Sequence, residues 1–438
     1  MTSLLEFRFT GQLRYEQHEQ PTTGTISVAR DGVLHATFDP LQISTETAWL
    51  FAAFSDGGRT APWLDLKGTT ADGKIFHTEH LVLTSRGTSS GPDGPATLTL
   101  EGHLSRLTLT YESAPTTSDM CSLVYHTIGM RGFGQQHAST AVGALLLWGQ
   151  TDIENHDEIA GRMHLTAPPS LPLDEWLNRA DDAIEHILRI VSLAEGKPLF
   201  WSIRELYDQN TIVRTDLTGP HHTGNPEDNT FHFLNLQPVL DLAANNYTPV
   251  LRNKTGIRLA IDLFLTHPPH LEIRLITAMT ALEHLVSVHD KHNPPTTPLD
   301  KPTFSKLNKE LLRAYDAEQR ALQPDEDLRE RLQRVRSRIG NLNHLTFKDR
   351  LWHMLTAYAV PLTGIADRIN PAIDARNDIV HTGMHDAPFT SFHLHVTILR
   401  ELLKRTFLTL LKYEGQYQSY LNGPEWIAFP PKNITVKP

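Results

Sequence analysis

A single cysteine, Cys121, in a chain of 438 residues excludes a disulfide within the chain and any thiolate cluster for zinc. Stability has to come from packing, and a reducing compartment fits. Long apolar runs are also missing: none approaches the roughly 18 residues that a spanning helix needs. The opening MTSLLEFRFTGQL has no basic flank followed by an apolar core, as an export signal would. A cytoplasmic protein with no membrane partner is the expectation. Positive charge is scarce as well. A net charge of -10 argues against a protein that coats nucleic acid nonspecifically, because such binding neutralises phosphates with many lysines and arginines. No glycine-rich phosphate loop is present, since GMRGFG lacks the lysine and the helix pattern that should follow, and serine hydrolase motifs are absent. No cofactor is expected.

The remaining composition, 39% hydrophobic and 21% charged, is that of a folded multidomain chain. Charge is unevenly spread: residues 301–350 are net positive by roughly 4, so a polyanion should meet the C-terminal half. Through residue 168 the chain reads as short strands and turns. GTISVARDGVLHATFD has the two alternating runs of a hairpin, and Leu98, Leu100, Leu107 and Leu109 keep a period of two. An antiparallel β-rich domain, sandwich-like or barrel, is expected here. Residues 169–265 read as a mixed helical connector. Asp174 is the expected cap of a helix with Leu177, Ala180, Ile184, Ile187 and Leu188 on one stripe and Gly196 as its stop, followed by a hairpin in PLFWSIRELYDQNTIVRTDLTG. Residues 266–420 read as an all-α helical bundle, with Leu271, Leu275, Ala278, Leu282 and Leu285 at helical spacing, and 421–438 as a tail. The fold class is therefore α+β and multidomain.

The stretch NPAIDARNDIVHTG, residues 370–383, carries the chemistry. Asn370 and Pro371 make a helix start and Gly383 a stop. At about 100° per residue, Ile373 and Val380 fall to one side of Arg376 and Ala372 and Ile379 to the other, which puts a guanidinium in the middle of an apolar arc. Asn377, His381 and Asp374 share the adjoining face. A charge pushed toward the packed side needs partners. One reading is an internal ion pair, for example with Glu283 of TALEHL. The other is a cleft or subunit seam where the arginine meets a substrate phosphate, which its planar fork suits. His381, in the last turn near the negative end of the helix dipole, can exchange a proton with a ribose or phosphate oxygen. RNA cleavage by the 2′-hydroxyl needs only a base, an acid and a cation at the phosphorane, and no metal.

Arg376-Asn377-Asp378-Ile379-Val380-His381 is an R-x4-H string with a polar residue directly after the arginine, and it resembles the motif of the HEPN superfamily of helical ribonucleases. With TAMTALEHL early in the helical half, ARNDIVHTG late in it and a β-rich region in front, the arrangement looks like ApeA-type HEPN proteins of bacterial defence. The resemblance implies a metal-independent RNA endonuclease with Arg376 and His381 as the active pair and Asn377 as a helper. It implies a homodimer through the helical domain, with one composite site between two such helices. It also implies an RNA substrate, tRNA among the candidates, and a toxin-like role in abortive infection, with a phage-derived trigger sensed at the N-terminal domain. A different class stays open, a nonenzymatic sensor or scaffold whose helical domain only dimerises. A third is a carbohydrate-binding β-domain, with Trp49, Trp63 and Trp148 as exposed rings or as core.

Other constellations read as bland. His381, His385, His393 and His395 invite a metal, but Gly383 interrupts them and no carboxylate pattern completes a ligand set. HDKH at 289–292 and His221-His222 read as exposed loop residues. RLQRVRSR, with Arg331, Arg334, Arg336 and Arg338, is either a solvated helix face or a track for an RNA backbone.

Overall fold

The computed structural model describes residues 3–45, 47–50, 62–89, 96–111, 117–130, 134–149, 158–169, 171–219, 229–231, 236–295, 297–322, 324–382 and 389–431, without the side chains of Ser3, His381, Thr382 and Phe389. An antiparallel β-rich region is followed by a helical one, an α+β arrangement. The chain divides into two compact units, the first of Met1–Thr248, Leu265–His267 and Gly415–Phe429, the second of Pro249–Phe264, Pro268–Glu414 and Pro430–Pro438.

The first unit opens with β1 (Ser3–Tyr15), β2 (His18–Ala29), β3 (Leu34–Phe38), β4 (Leu41–Gln42), β5 (Leu64–Thr70), β6 (Ile75–Ser89), β7 (Thr97–Leu104) and β8 (Arg106–Thr110). The strands β6, β5, β1, β2, β3 and β7 pair in that order, and β7 pairs back onto β6, so these six close into an antiparallel barrel. Closure leaves no strand edge in the ring to template aggregation. The alternation expected for β7 holds, with Leu98, Leu100 and Leu104 buried between exposed neighbours. They join Phe9, Leu13, Ile26, Val28, Leu66, Phe76 and Leu81 in one core, and each such side chain contributes roughly 1.5–3 kcal/mol by leaving water.

The strand β6 is shared. Its later part pairs with β7, while Ile75–His77 pair with β8. From β8 an open sheet continues through β14 (Thr211–Thr218), β13 (Phe200–Asp208), β9 (Cys121–Ile128), β12 (Ile159–Thr166), β11 (Gly143–Gly149) and β10 (Gln136–Thr140). Of the two expected forms, sandwich-like or barrel, the strands take a closed barrel, here extended by an open sheet. Period-two alternation is the same in both, and only the long-range pairings distinguish them. The hairpin expected after residue 196 is present as β13–β14, but it is no connector, because β13 pairs with β9 and β14 with β8 inside the first unit.

Helix α1 (Leu173–Glu195) starts one residue before Asp174, which lies in the first turn instead of capping it, and Gly196 ends it in the left-handed conformation at φ 68. The predicted stripe is buried. Trp176 Nε1 donates to the Val142 carbonyl at 2.9 Å. Tyr125 donates to Asp181 at 2.8 Å, and Arg204 bridges Asp181 to Asp216, its Nη2 lying 2.7 Å from Asp216. Arg214 and Thr108 hold the other Asp216 oxygen, so this buried carboxylate is fully engaged. Burial alone would raise the Asp216 carboxyl, but Arg204 and Arg214 hold it below the usual range. The helix α2 (Leu236–Asn245) packs against α1.

The second unit contains α3 (Pro249–Lys254), α4 (Ile257–Phe264), α5 (Leu271–His292), α6 (Lys301–Leu322), α7 (Glu326–Ile339), α8 (Phe347–Ala357), α9 (Ala366–Thr382) and α10 (Phe389–Leu410). The helix α5 is its centre, touching α4, α8, α9 and α10, and Leu275, Ala278, Leu282 and Leu285 are buried as expected. It continues through the whole HDKH stretch, so these residues are helical rather than loop, and His289 is buried. In α10, buried Arg405 donates to the Pro361 and Thr363 carbonyls and so sets the entry to α9. The helices α6 and α7 pack on each other and bury no residue. Among the described residues, no helix is long and apolar enough to cross a membrane.

The segment read as a tail, 421–438, includes β16 (Glu425–Phe429), which pairs with β15 (Gly415–Ser419). Tyr417 and Phe429 are buried, and Gln418 N–H donates to the Thr230 carbonyl, placing this hairpin in the first unit. Residues 432–438 lie outside the described residues.

Candidate functional site

The helix α9 begins at Ala366, earlier than the Asn370-Pro371 start, and Pro371 lies inside it. The missing N–H costs one hydrogen bond early in the helix, where packing of the buried arc outweighs it. Asn370 accepts from Trp352 Nε1 of α8 at 3.3 Å, and Asp374 takes Lys348 Nζ at 2.6 Å, so α8 braces the helix. The expected stop, Gly383, lies outside the described residues.

Ile369, Ala372, Ile373, Ala375 and Ile379 are buried, whereas Val380, counted in the apolar arc from its spacing, is 52% exposed. Arg376 sits on the edge of that arc, with 21% of its side chain exposed. Its Nη2 donates to Oε1 of Glu283 on α5 at 2.8 Å, and its Nη1 to Oδ1 of Asn377 at 3.2 Å. Its Nε finds no acceptor among the described residues. The ion pair with Glu283, one of the two readings of the sequence, is therefore present. Arg376, Asn377 and Glu283 come together. His381 falls in the last turn of α9, and its side chain lies outside the described residues. The guanidinium is thus held at one nitrogen by a carboxylate and at another by an amide, an arrangement that leaves some of its five N–H donors unspent.

The basic stretch on α7 is largely self-neutralised. Arg331 pairs with Asp327 and Arg334 with Glu330 one turn earlier, and Arg336 Nε lies 2.8 Å from Asp316 of α6. This is the solvated face, made of pairs worth little individually. Of the other histidines, His221, His222 and His385 lie outside the described residues. His393 and His395 join no group of three metal-binding side chains among the described residues.

The first unit holds a cleft of about 1020 Å³ between β1, the β5–β6 turn and the open sheet, lined among others by Trp148, Tyr111, His126, Glu205, Arg162 and Lys74. His126 Nε2 lies 3.0 Å from Glu205, and the Tyr207 hydroxyl donates to the same carboxylate at 3.1 Å. Burial raises Glu205, but these hydrogen bonds outweigh it and hold the carboxyl below its usual range. Burial and the carboxylate push Tyr207 up to about 12. No short motif announces this cluster, because it is assembled across neighbouring strands from residues far apart in sequence. Of the tryptophans, Trp148 lines the cleft, Trp63 is 56% exposed beside His80, and Trp49 stacks on Tyr15 and His18 against the barrel core. No protein-family model matches the chain, and no curated protein or solved structure matches it either.

Proposed function

We propose that the second unit is a HEPN-type ribonuclease domain that cleaves RNA without a metal, as a homodimer, in cytoplasmic anti-phage defence. The observation that carries this reading is Arg376, a guanidinium held by Glu283 and Asn377 on α9, five residues before His381. In the reaction, the ribose 2′-oxygen forms a bond to phosphorus as its proton passes to a base. The bond from phosphorus to the 5′-oxygen breaks, and that oxygen takes a proton from an acid. His381 supplies one of these transfers, Arg376 stabilises the phosphorane charge, and Asn377 orients the substrate or the histidine. The products carry 2′,3′-cyclic phosphate and 5′-hydroxyl ends. The cleft in the first unit is the proposed seat of a phage-derived trigger.

Incubating wild type, Arg376→Ala and His381→Ala with total RNA in EDTA, with and without lysate of phage-infected cells, tests the reading. Wild type should release fragments with cyclic phosphate ends, and neither variant should. Equal cleavage by all three removes the site. The Glu283–Arg376 pair itself favours a second reading, a nonenzymatic scaffold in which the arginine is structural. Under that reading wild type protects cells from phage with no RNA cleavage, and Arg376→Ala loses protection only as far as it loses folded protein.

A further inference from the structure

A second unusual polar group in the second unit is His289. It lies in the last turns of α5 and is 1% exposed, yet neither ring nitrogen has a hydrogen-bond partner among the described residues. A buried polar group left in that state costs roughly 1–3 kcal/mol and is rare enough to need an explanation. Its neighbours are rings: His353 with centroids 5.4 Å away and Tyr358 at 4.9 Å, both edge-on. The adjacent Asp290 shows the same incompleteness. Its Oδ2 takes Arg350 Nε at 2.5 Å, while its Oδ1 is buried without a partner. His353, one turn beyond Arg350 on α8, is exposed.

We propose that His289, Asp290 and His353 bind one divalent first-row transition ion of the Zn²⁺ class, clasping α8 to the C-terminal end of α5. One ligand atom from each of the three residues lies within 4.8 Å of the others. Donors bonded to one tetrahedral zinc at about 2.0–2.1 Å stand roughly 3.4 Å apart, so closing the set takes a shift on the order of 1 Å. Exposed His353 can supply it by side-chain rotation. Two imidazoles and a carboxylate suit zinc and its neighbours, whereas magnesium and calcium prefer oxygen donors throughout. Three protein ligands leave a fourth position for water on the exposed side. Arg350 on the second carboxylate oxygen is the outer partner that fixes a ligating carboxylate. The carbonyl end of α5 adds negative potential. Sequence spacing hides the site because two ligands are adjacent and the third is on another helix.

This inference stands apart from the ribonuclease reading, whose chemistry uses no metal. Full-length protein, stripped with chelator and desalted, is titrated with Co²⁺. One equivalent should bind with the visible absorption of four-coordinate cobalt, and Zn²⁺ should bleach it. Saturating Zn²⁺ should raise the Tm. His353→Ala, at an exposed position, should keep the far-ultraviolet circular dichroism of the stripped wild type but lose the band and at least tenfold in affinity. Asp290→Asn should weaken binding, and His270→Ala, at the far end of α5, should leave it unchanged. Absence of a one-equivalent cobalt band, or the same band and affinity in His353→Ala, overturns the proposal. In EDTA the Tm should fall while any RNA cleavage persists, which separates the two readings.

Discussion

The ion pair between Arg376 and Glu283 can be weighed by a double-mutant cycle. The two side chains meet at 2.8 Å with 21% and 37% exposure, between a solvated pair and a buried one. Exposed pairs contribute about 0.2–1 kcal/mol, and breaking a buried pair costs about 3–5 kcal/mol. An intermediate pair with one short, charge-assisted bond should couple by about 1 kcal/mol. Arg376→Ala also removes a long methylene stem from the buried arc, so its total cost should be about 2 kcal/mol. Glu283→Gln should cost about 1 kcal/mol, and the double variant little more than Arg376→Ala alone. For a domain of 150–250 residues each kcal/mol is roughly 2–4 °C in Tm, so Arg376→Ala should lower the melting of the helical unit by about 4–8 °C. Urea unfolding followed at 222 nm supplies the free energies. A coupling under about 0.3 kcal/mol, which is the ordinary scatter of additive sites, refutes the pair as a restraint on the guanidinium. A coupling above about 3 kcal/mol refutes the other half of the reasoning, since an arginine so firmly held cannot turn to a phosphate. Glu283→Gln leaves the positive charge in place but unaligned. If Arg376 is catalytic, cleavage should fall at least tenfold in that variant, about 1.4 kcal/mol of transition-state stabilisation, with most of the protein still folded.

Asp216→Ala should destabilise the first unit by about 3–5 kcal/mol, because it leaves the buried Arg204 with Asp181 alone and strips Arg214 and Thr108 of their acceptor. A denaturation midpoint within experimental scatter of wild type refutes the network as a support of α1 on the sheet. Acid should weaken the protein before its carboxylates titrate. Burial holds His164 and His284 below the ordinary histidine value. The unfolded chain therefore binds protons first, and the stability these groups confer is complete above roughly pH 6.5 and lost as pH falls through their lower folded values. A Tm measured in stripped protein should decline between pH 7 and 5.5, and a flat profile there contradicts the assignment.

Local patterns were legible where the physics is local. Alternating Leu98, Leu100, Leu107 and Leu109 announce strands, and Leu275, Ala278, Leu282 and Leu285 announce the face that α5 buries. The Arg376 position on the apolar arc follows from helical geometry, and its need for an anionic partner from the cost of a buried charge, whereas Glu283 was one example among the carboxylates that the sequence offers. What depends on distant pairing was not legible. The return of β7 onto β6 closes a barrel that no window of sequence contains, and the strand pairing of 415–429 recruits a stretch that reads as a tail. Charged HDKH reads as a solvated loop, yet α5 carries its first histidine into the core, because burial is set by the helices packed around it. Pro371 was placed at a helix start by its own preference, and the longer apolar arc overrode it.

The β15–β16 hairpin has a consequence for biosynthesis. Its strands belong to the first unit, so in sequence the helical unit is an insertion carried inside the β-rich one. A ribosome must translate all the helices before it delivers the last piece of the unit it began with. Until then the Thr230 carbonyl lacks the Gln418 amide that it accepts in the finished protein. A chain whose translation stops before residue 415 therefore carries every helix of the second unit beside an unfinished first one.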